Sequence, residues 1–141
     1  MMRHTLWICA LLALLVPCLA DSAEPLLIAV ASDDVEATSI VGQYPAFSRY
    51  YLLFSGLNMV QVLNNPFLDK GVGAGPLVVD YLTQKGVAIL VAGGFGPPMI
   101  EAMKRKGMRY FQFSGVAQDA VERAVNYLKS AGKGGGEKPG N

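Results

Sequence analysis

Histidine, tryptophan and cysteine are almost missing from this chain, and the few that occur crowd at one end. The only histidine is His4, the only tryptophan is Trp7, and both cysteines, Cys9 and Cys18, fall within the first twenty residues. Those residues, "MMRHTLWICALLALLVPCLA", read as a secretory signal peptide spanning 1–20. Arg3 and His4 make a short polar start, residues 6–16 an apolar run, and Cys18-Leu19-Ala20 a cleavage site with the cut after Ala20. The apolar run is shorter than the roughly 20 residues that span a bilayer. Cleavage leaves a chain with no thiol and no imidazole. Disulfides, zinc sites of the usual kind and Cys or His nucleophiles are thereby excluded together. Arg3 leaves too, so 11 basic residues face 11 acidic ones. A neutral chain has no global attraction for nucleic acid or for membrane surfaces. The expected localisation is periplasmic or secreted, without stable membrane insertion after cleavage.

Apolar side chains are also missing from the other end. Residues 132–141, "GKGGGEKPGN", have nothing to bury and read as a disordered tail. One domain of ordinary size remains, residues 24–131. "LLIAVA" at 26–31 is a continuous apolar run with a β-branched centre, a strand buried on both faces. "SDDVEATSIVGQYPA" reads as a loop. "FSRYYLLF" and "LNMVQVLN", joined at Ser55-Gly56, read as an antiparallel hairpin. The pattern then alternates. A helix opens at Pro76, "VAILVA" is a buried strand, and "PPMIEAMKRKG" is a helix stopped by Gly107. "MRYFQF" is a last strand, and "VAQDAVERAVNYLKSAG" is a helix with Val121, Ala124, Val125 and Leu128 in register. The order βββαβαβα predicts an α/β fold with a mixed sheet flanked by helices.

Two glycine-rich turns, "GVGAGP" and "GGFGPP", precede the first two helices. Neither is a phosphate cradle. The first lacks the lysine and hydroxyl of a P-loop, and the second puts proline where donors would point at an anion. Glycine there also has a purely structural explanation, since it lets backbones approach closely. Helices after parallel strands start at the strand C-termini, where open α/β sheets bind ligands. Both turns are therefore expected to line one cleft, with Gly42 and Pro45 closing it. N–H groups of Gly73, Ala74, Gly94 and Phe95 would face a bulky anionic ligand. Valine at Gly75 or Gly94 should then abolish binding. Met99, Met103 and Met108 offer thioethers suited to Cu(I), but Met at helical spacing is ordinary core filling. Asp33, Asp34 and Glu36 are a possible hard-cation cluster and, more simply, a solvated loop. No carboxylates converge from strands as two-metal nuclease chemistry needs, and no catalytic triad is present.

The stretches "IAVASDD", "NPF…GVGAGPLVVDYLTQKGV", "ILVAGGFGPPMIEAMKRKGMRYFQFSG" and "AVERAV" resemble the dinitrogenase iron–molybdenum cofactor-binding family, the domain of nitrogenase cofactor-carrier and accessory proteins. The resemblance implies a ribonuclease H-like fold and a non-enzymatic role. It also implies an iron–molybdenum cofactor or other metal–sulfur cluster in the cleft. The cofactor-binding residues would be Gly42, Gly73, Ala74, Gly75, Gly93, Gly94, Phe95 and Gly96, with no metal ligand identified. Where the family carries "HFG" before its second strand, this chain has Ile40-Val41-Gly42, keeping the glycine without the histidine. Two further readings stand beside a cofactor carrier. One is a divergent member that lost its ligands and serves as a protein-interaction module. The other is a small-molecule domain using residues 93–97 and Tyr44.

Overall fold

The computed structural model describes residues 25–131. The signal peptide expected at 1–20 and the tail expected at 132–141 lie outside them. Five strands form one mixed sheet: β1 (Leu27–Ser32), β2 (Tyr50–Ser55), β3 (Asn58–Asn64), β4 (Val87–Ala92) and β5 (Arg109–Gln112). Their spatial order is β3-β2-β1-β4-β5. Three helices accompany them: α1 (Ala74–Gln84), α2 (Pro97–Lys106) and α3 (Ala117–Ala131). The chain order is the βββαβαβα read from the sequence. β2 runs against β1 and β3, and β4 and β5 run parallel to β1. No helix among the described residues is long and apolar enough to cross a membrane.

The two faces of the sheet are packed differently. On one face the sheet mixes small Ala29, Ala31 and Ala92 with large Tyr51, Leu53 and Leu90, under Val78 and Leu82 of α1 and Met99 and Met103 of α2. On the other face the sheet is large, with Ile28, Val30, Leu52, Phe54 and Val91, and α3 answers with Ala117, Ala120 and Ala124. Large against small on this second face lets the layers interdigitate at interior density. β1 lies in the middle and is buried on both sides, as its unbroken apolar run predicts. Met99, Met103 and Met108 are at most 6% exposed, so the methionines fill core and the copper reading falls away.

The largest departures from expectation are the starts of β2 and α1 and the loop after β1. β2 starts at Tyr50 rather than at 47, because Pro45–Phe47 closes a 3-10 turn in which Ser48 N–H donates to Pro45 O at 3.4 Å. α1 starts at Ala74, ahead of Pro76. Gly73 takes a left-handed φ of 98°, favoured by glycine, and turns the chain into the helix. Pro76 then sits in the first turn, where a missing N–H costs nothing. The loop expected at 32–46 is not free. Isolated bridges pair Val41 with Ser32 and Ile40 with Val116.

Candidate functional site

β1, β3, β4 and β5 point the same way, so the loops that follow all four lie on one edge of the sheet. The loop after β1 crosses that edge and is stitched into it. Gly42 N–H donates to Ala31 O at 2.7 Å. Gly93 N–H donates to Gly42 O at 2.9 Å, and Gly94 N–H to Gln43 O at 2.7 Å. The crevice between the ends of β1 and β4 is thus filled by residues 41–43. The free space lies beside it, above α1 and α2.

There a cleft of about 290 Å³ opens. One wall is the turn at Tyr44, Pro45, Ala46 and Phe47. The opposite wall is the first glycine turn and the start of α1, residues 71–76. Gly96, Pro98 and Met99 at the head of α2 complete it. The two glycine turns do share one cleft, but only part of each takes part. Gly73, Ala74, Gly75 and Gly96 line it; Gly93, Gly94 and Phe95 do not. Phe95 instead packs on Tyr110, ring centroids 5.2 Å apart. Pro45 closes the cleft as expected. Gly42 borders a separate polar hollow with Ser32, Asp33 and Asp34. A side chain at Gly42 would fall on Ser48 Oγ, so only glycine passes there.

The donor set departs from expectation for the same reason. Gly94 N–H is taken by Gln43, and Ala74 N–H reaches Gly71 O at 3.3 Å. Gly73 and Phe95 N–H have no backbone partner among the described residues. Pro97 and Pro98 remove two donors from the first turn of α2, Met99 N–H and Ile100 N–H both donate to Gly96 O at 3.1 Å, and no side chain caps either α1 or α2. No charged side chain lines the cleft; its only hetero-atoms from side chains are the Tyr44 hydroxyl and the nearly buried Met99 sulfur. Among the described residues no three His, Cys, Asp or Glu side chains converge on a metal position. The acidic residues after β1 are used locally. Asp33 Oδ1 accepts from Arg49 N–H at 3.0 Å, and Asp34 Oδ1 from Val35 N–H at 2.7 Å. This donor set does not fit a cluster ligated by the protein through thiolate, imidazole or carboxylate.

Two buried residues hold the Pro45 wall, and neither stands out in the sequence by composition. Tyr51, fully buried in β2, donates its hydroxyl to Pro45 O at 2.8 Å. Burial, and next the Tyr81 phenol, push the Tyr51 hydroxyl well above the usual tyrosine range. The neutral form is therefore the folded one, so its stabilisation is complete below about pH 10 and is lost as pH rises beyond that. Wild-type unfolding free energy is expected to fall above about pH 10 by up to ~1.4 kcal/mol per pH unit, and Tyr51→Phe to lack that slope. Denaturant melts across that range check it; parallel slopes would remove Tyr51 from the account. Asn65, the other holder, donates to Ala46 O at 3.0 Å and Ser48 O at 2.9 Å, and its Oδ1 accepts from Phe67 N–H at 2.9 Å.

Gly75 also proves to be a packing residue. A Cβ there would stand 3.1 Å from Met99 Cβ, where α1 crosses α2. Gly75→Val is expected to force the helices apart at a cost of about 1–3 kcal/mol. A thermal melt lowered by several degrees would show it, and an unchanged melt would refute the close crossing. Valine at Gly94 would strike Tyr44 Cε1, 3.2 Å from the added Cβ. Neither substitution isolates binding from folding.

A family model described as dinitrogenase iron-molybdenum cofactor matches residues 24–128. None of the curated proteins matches the chain at a significant level. Among solved structures, a Thermotoga protein of the DUF35 family, described as a candidate NifB protein and solved by NMR, superposes with a TM-score of 0.61 at 27% identity. That match covers 72% of this chain and 88% of the Thermotoga protein. The apo form of the orange protein from Desulfovibrio gigas superposes with a TM-score of 0.66 at 21% identity, over 71% of this chain and 87% of that one, and speaks to the fold alone. With the family pattern running from the start of β1 to the last turns of α3, the chain belongs to the dinitrogenase iron-molybdenum cofactor family.

Proposed function

We propose that this chain is a non-enzymatic carrier or scaffold which seats a metal-containing cofactor in the cleft between its two glycine turns. The observation that carries the reading is the cleft itself. It lies at the ligand-binding edge of an α/β sheet, in a member of a cofactor-associated family. Its walls are apolar, and of the N–H groups expected to face a ligand only that of Gly73 both lines it and has no backbone partner among the described residues. Such a site suits a cofactor that arrives with its own inorganic ligand shell, held by shape and apolar contact rather than by protein ligands to the metal. The sheet order β3-β2-β1-β4-β5 with β2 reversed supports a ribonuclease H-like assignment of the fold. Elemental analysis and the visible spectrum of the chain purified from cells that make such cofactors test the proposal. Stoichiometric iron or molybdenum with colour supports it; a colourless, metal-free chain overturns it.

One observation favours a second reading, a protein-interaction module. Val72 is 100% exposed, Phe47 56% and Tyr44 50%, so apolar side chains ring the cleft mouth. We also propose export to the periplasm or medium, on the strength of residues 1–20. Mass spectrometry of the exported protein is expected to find Asp21 at the N-terminus; an intact Met1 in the cytosol would end that proposal.

A further inference from the structure

The chain is close to neutral as a whole, but its charges are not spread evenly. The edge of the sheet opposite the cleft is where β1, β4 and β5 begin and where α1 and α2 end. Five exposed cations gather there: Lys85 just past α1, Lys104, Arg105 and Lys106 in the last turn of α2, and Arg109 at the head of β5. Asp80 takes one of them, Lys106, at 3.5 Å, and Glu101 stands one turn back on α2 without an ion pair among the described residues. Lys85 lies over the Tyr81 ring, 5.5 Å from its centroid, which leaves its charge in place. At the cleft edge the balance is reversed: Asp33, Asp34, Glu36 and Asp69 outnumber Arg49 and Lys70.

Cations in the last turn of a helix complement its dipole, and that alone would explain residues 104–106. It does not explain Arg109, which opens a strand, or the leucines on the same edge. Leu26, just before β1, is 50% exposed, and Leu57, at the tip of the β2–β3 hairpin, is 47% exposed. Leu27 pairs with Ser55 on one side and Val87 on the other, which puts the hairpin tip and the entry of the chain level with the end of α1. A Cβ at Gly86 would stand 3.7 Å from Leu27 Cδ1. Such an edge suits an anionic bilayer. Ammonium and guanidinium groups meet phosphates at headgroup level, and leucine side chains reach the acyl boundary. Residues 1–24, with the apolar run at 6–16, also join the domain at this edge. The cations alone would suit an acidic protein equally; the leucines and the apolar run favour a lipid surface.

We propose that this edge is a peripheral docking surface for anionic phospholipid, which holds the domain at a membrane with its cleft turned toward solution. The proposal is independent of what the cleft holds. The test is cosedimentation with vesicles of the processed chain, beginning at Asp21, so that residues 1–20 supply no affinity. Vesicles of phosphatidylcholine and phosphatidylglycerol in equal parts are expected to bind it, and vesicles of phosphatidylcholine alone to leave it in solution. Salt at about 1 M, where the Debye length is about 3 Å, is expected to release it. Each Lys or Arg near an anionic surface is worth about fivefold in affinity. Lys104→Glu with Arg105→Glu is therefore expected to weaken binding by about tenfold or more. Lys70→Glu with Arg123→Glu makes the same change of charge elsewhere, since Lys70 follows β3 and Arg123 lies over Phe113, past the far end of β5. That pair is expected to bind as wild type does. All four positions are exposed, and circular dichroism checks that each variant is folded. No binding to either vesicle overturns the proposal, as when the cations serve an acidic protein or a nucleic acid instead. Equal binding to both vesicles, binding that survives the salt, or equal loss in both variants overturns it too, since the charge or its place on this edge would then not matter.

Discussion

Gly96→Val is expected to strip the chain of retained metal while leaving its melting temperature unchanged or slightly raised. Gly96 has φ −72° and ψ 152°, extended backbone that a β-branched residue adopts readily and that suits a position before proline. A Cβ built there meets nothing closer than Pro98 Cδ at 3.9 Å. The added side chain therefore enters open space at the head of α2, on the wall of the cleft, and displaces no part of the fold. Replacing glycine where the backbone already suits another residue stabilises by about 0.4–1 kcal/mol through the unfolded chain. Binding and stability should thus move in opposite directions, which no general damage to the protein would produce. The measurement is metal content per chain beside a thermal melt. A folded variant that keeps the wild-type metal content would show that the cleft is not the seat of the cofactor.

The contrast with Gly75 and Gly94 explains how much of the site the sequence carries. Glycine is one letter with three meanings here. At Gly96 it leaves space; at Gly75 it admits Met99 across a helix crossing; at Gly93 and Gly94 it lets residues 42 and 43 hydrogen-bond to the end of β4. The strands and helices were legible because their apolar periods are local. "VAILVA" gives β4 without ambiguity, and Gly107 marks the end of α2. The stitching of residues 40–43 into the sheet edge was not legible, since it depends on partners at Ala31, Gly93, Gly94 and Gly115 that only the fold brings near. A faint local signal existed in "SIV", a β-branched pair inside an otherwise polar loop. Pro76 marks a helix start by its own local preference, whereas the left-handed Gly73 begins the turn two residues before Gly75.

Asn65→Ala is expected to lower the melting temperature by about 10 °C and to open the cleft. "NP" after β3 was recognisable only as part of the family pattern; its physics needs the fold. Asn65 is 6% exposed, and its amide satisfies three backbone groups, Ala46 O, Ser48 O and Phe67 N. The first two belong to the Pro45 wall, and the third begins the segment that leads into the first glycine turn. Alanine leaves all three without this partner, at about 1 kcal/mol each, or about 2–3 kcal/mol in sum. For a domain of about 100 residues each kcal/mol is worth roughly 4 °C. Asn65→Asp separates lost bonds from lost volume. Its carboxylate still accepts from Phe67 but turns an acceptor toward two carbonyl oxygens, so it should be less stable than alanine at neutral pH. The same carbonyls and the burial raise the folded pKa of that carboxyl above its unfolded value of about 3.9. The neutral acid is then the form the fold prefers. Relative to wild type, Asn65→Asp is at its best below about pH 4 and loses stability as pH rises through the folded value. Thermal melts of the three proteins at about pH 4 and pH 7 test this. An aspartate variant that fares no worse at pH 7 than at pH 4 would show that Asn65 does not face these carbonyls, and the clamp on the cleft wall would have to be sought elsewhere.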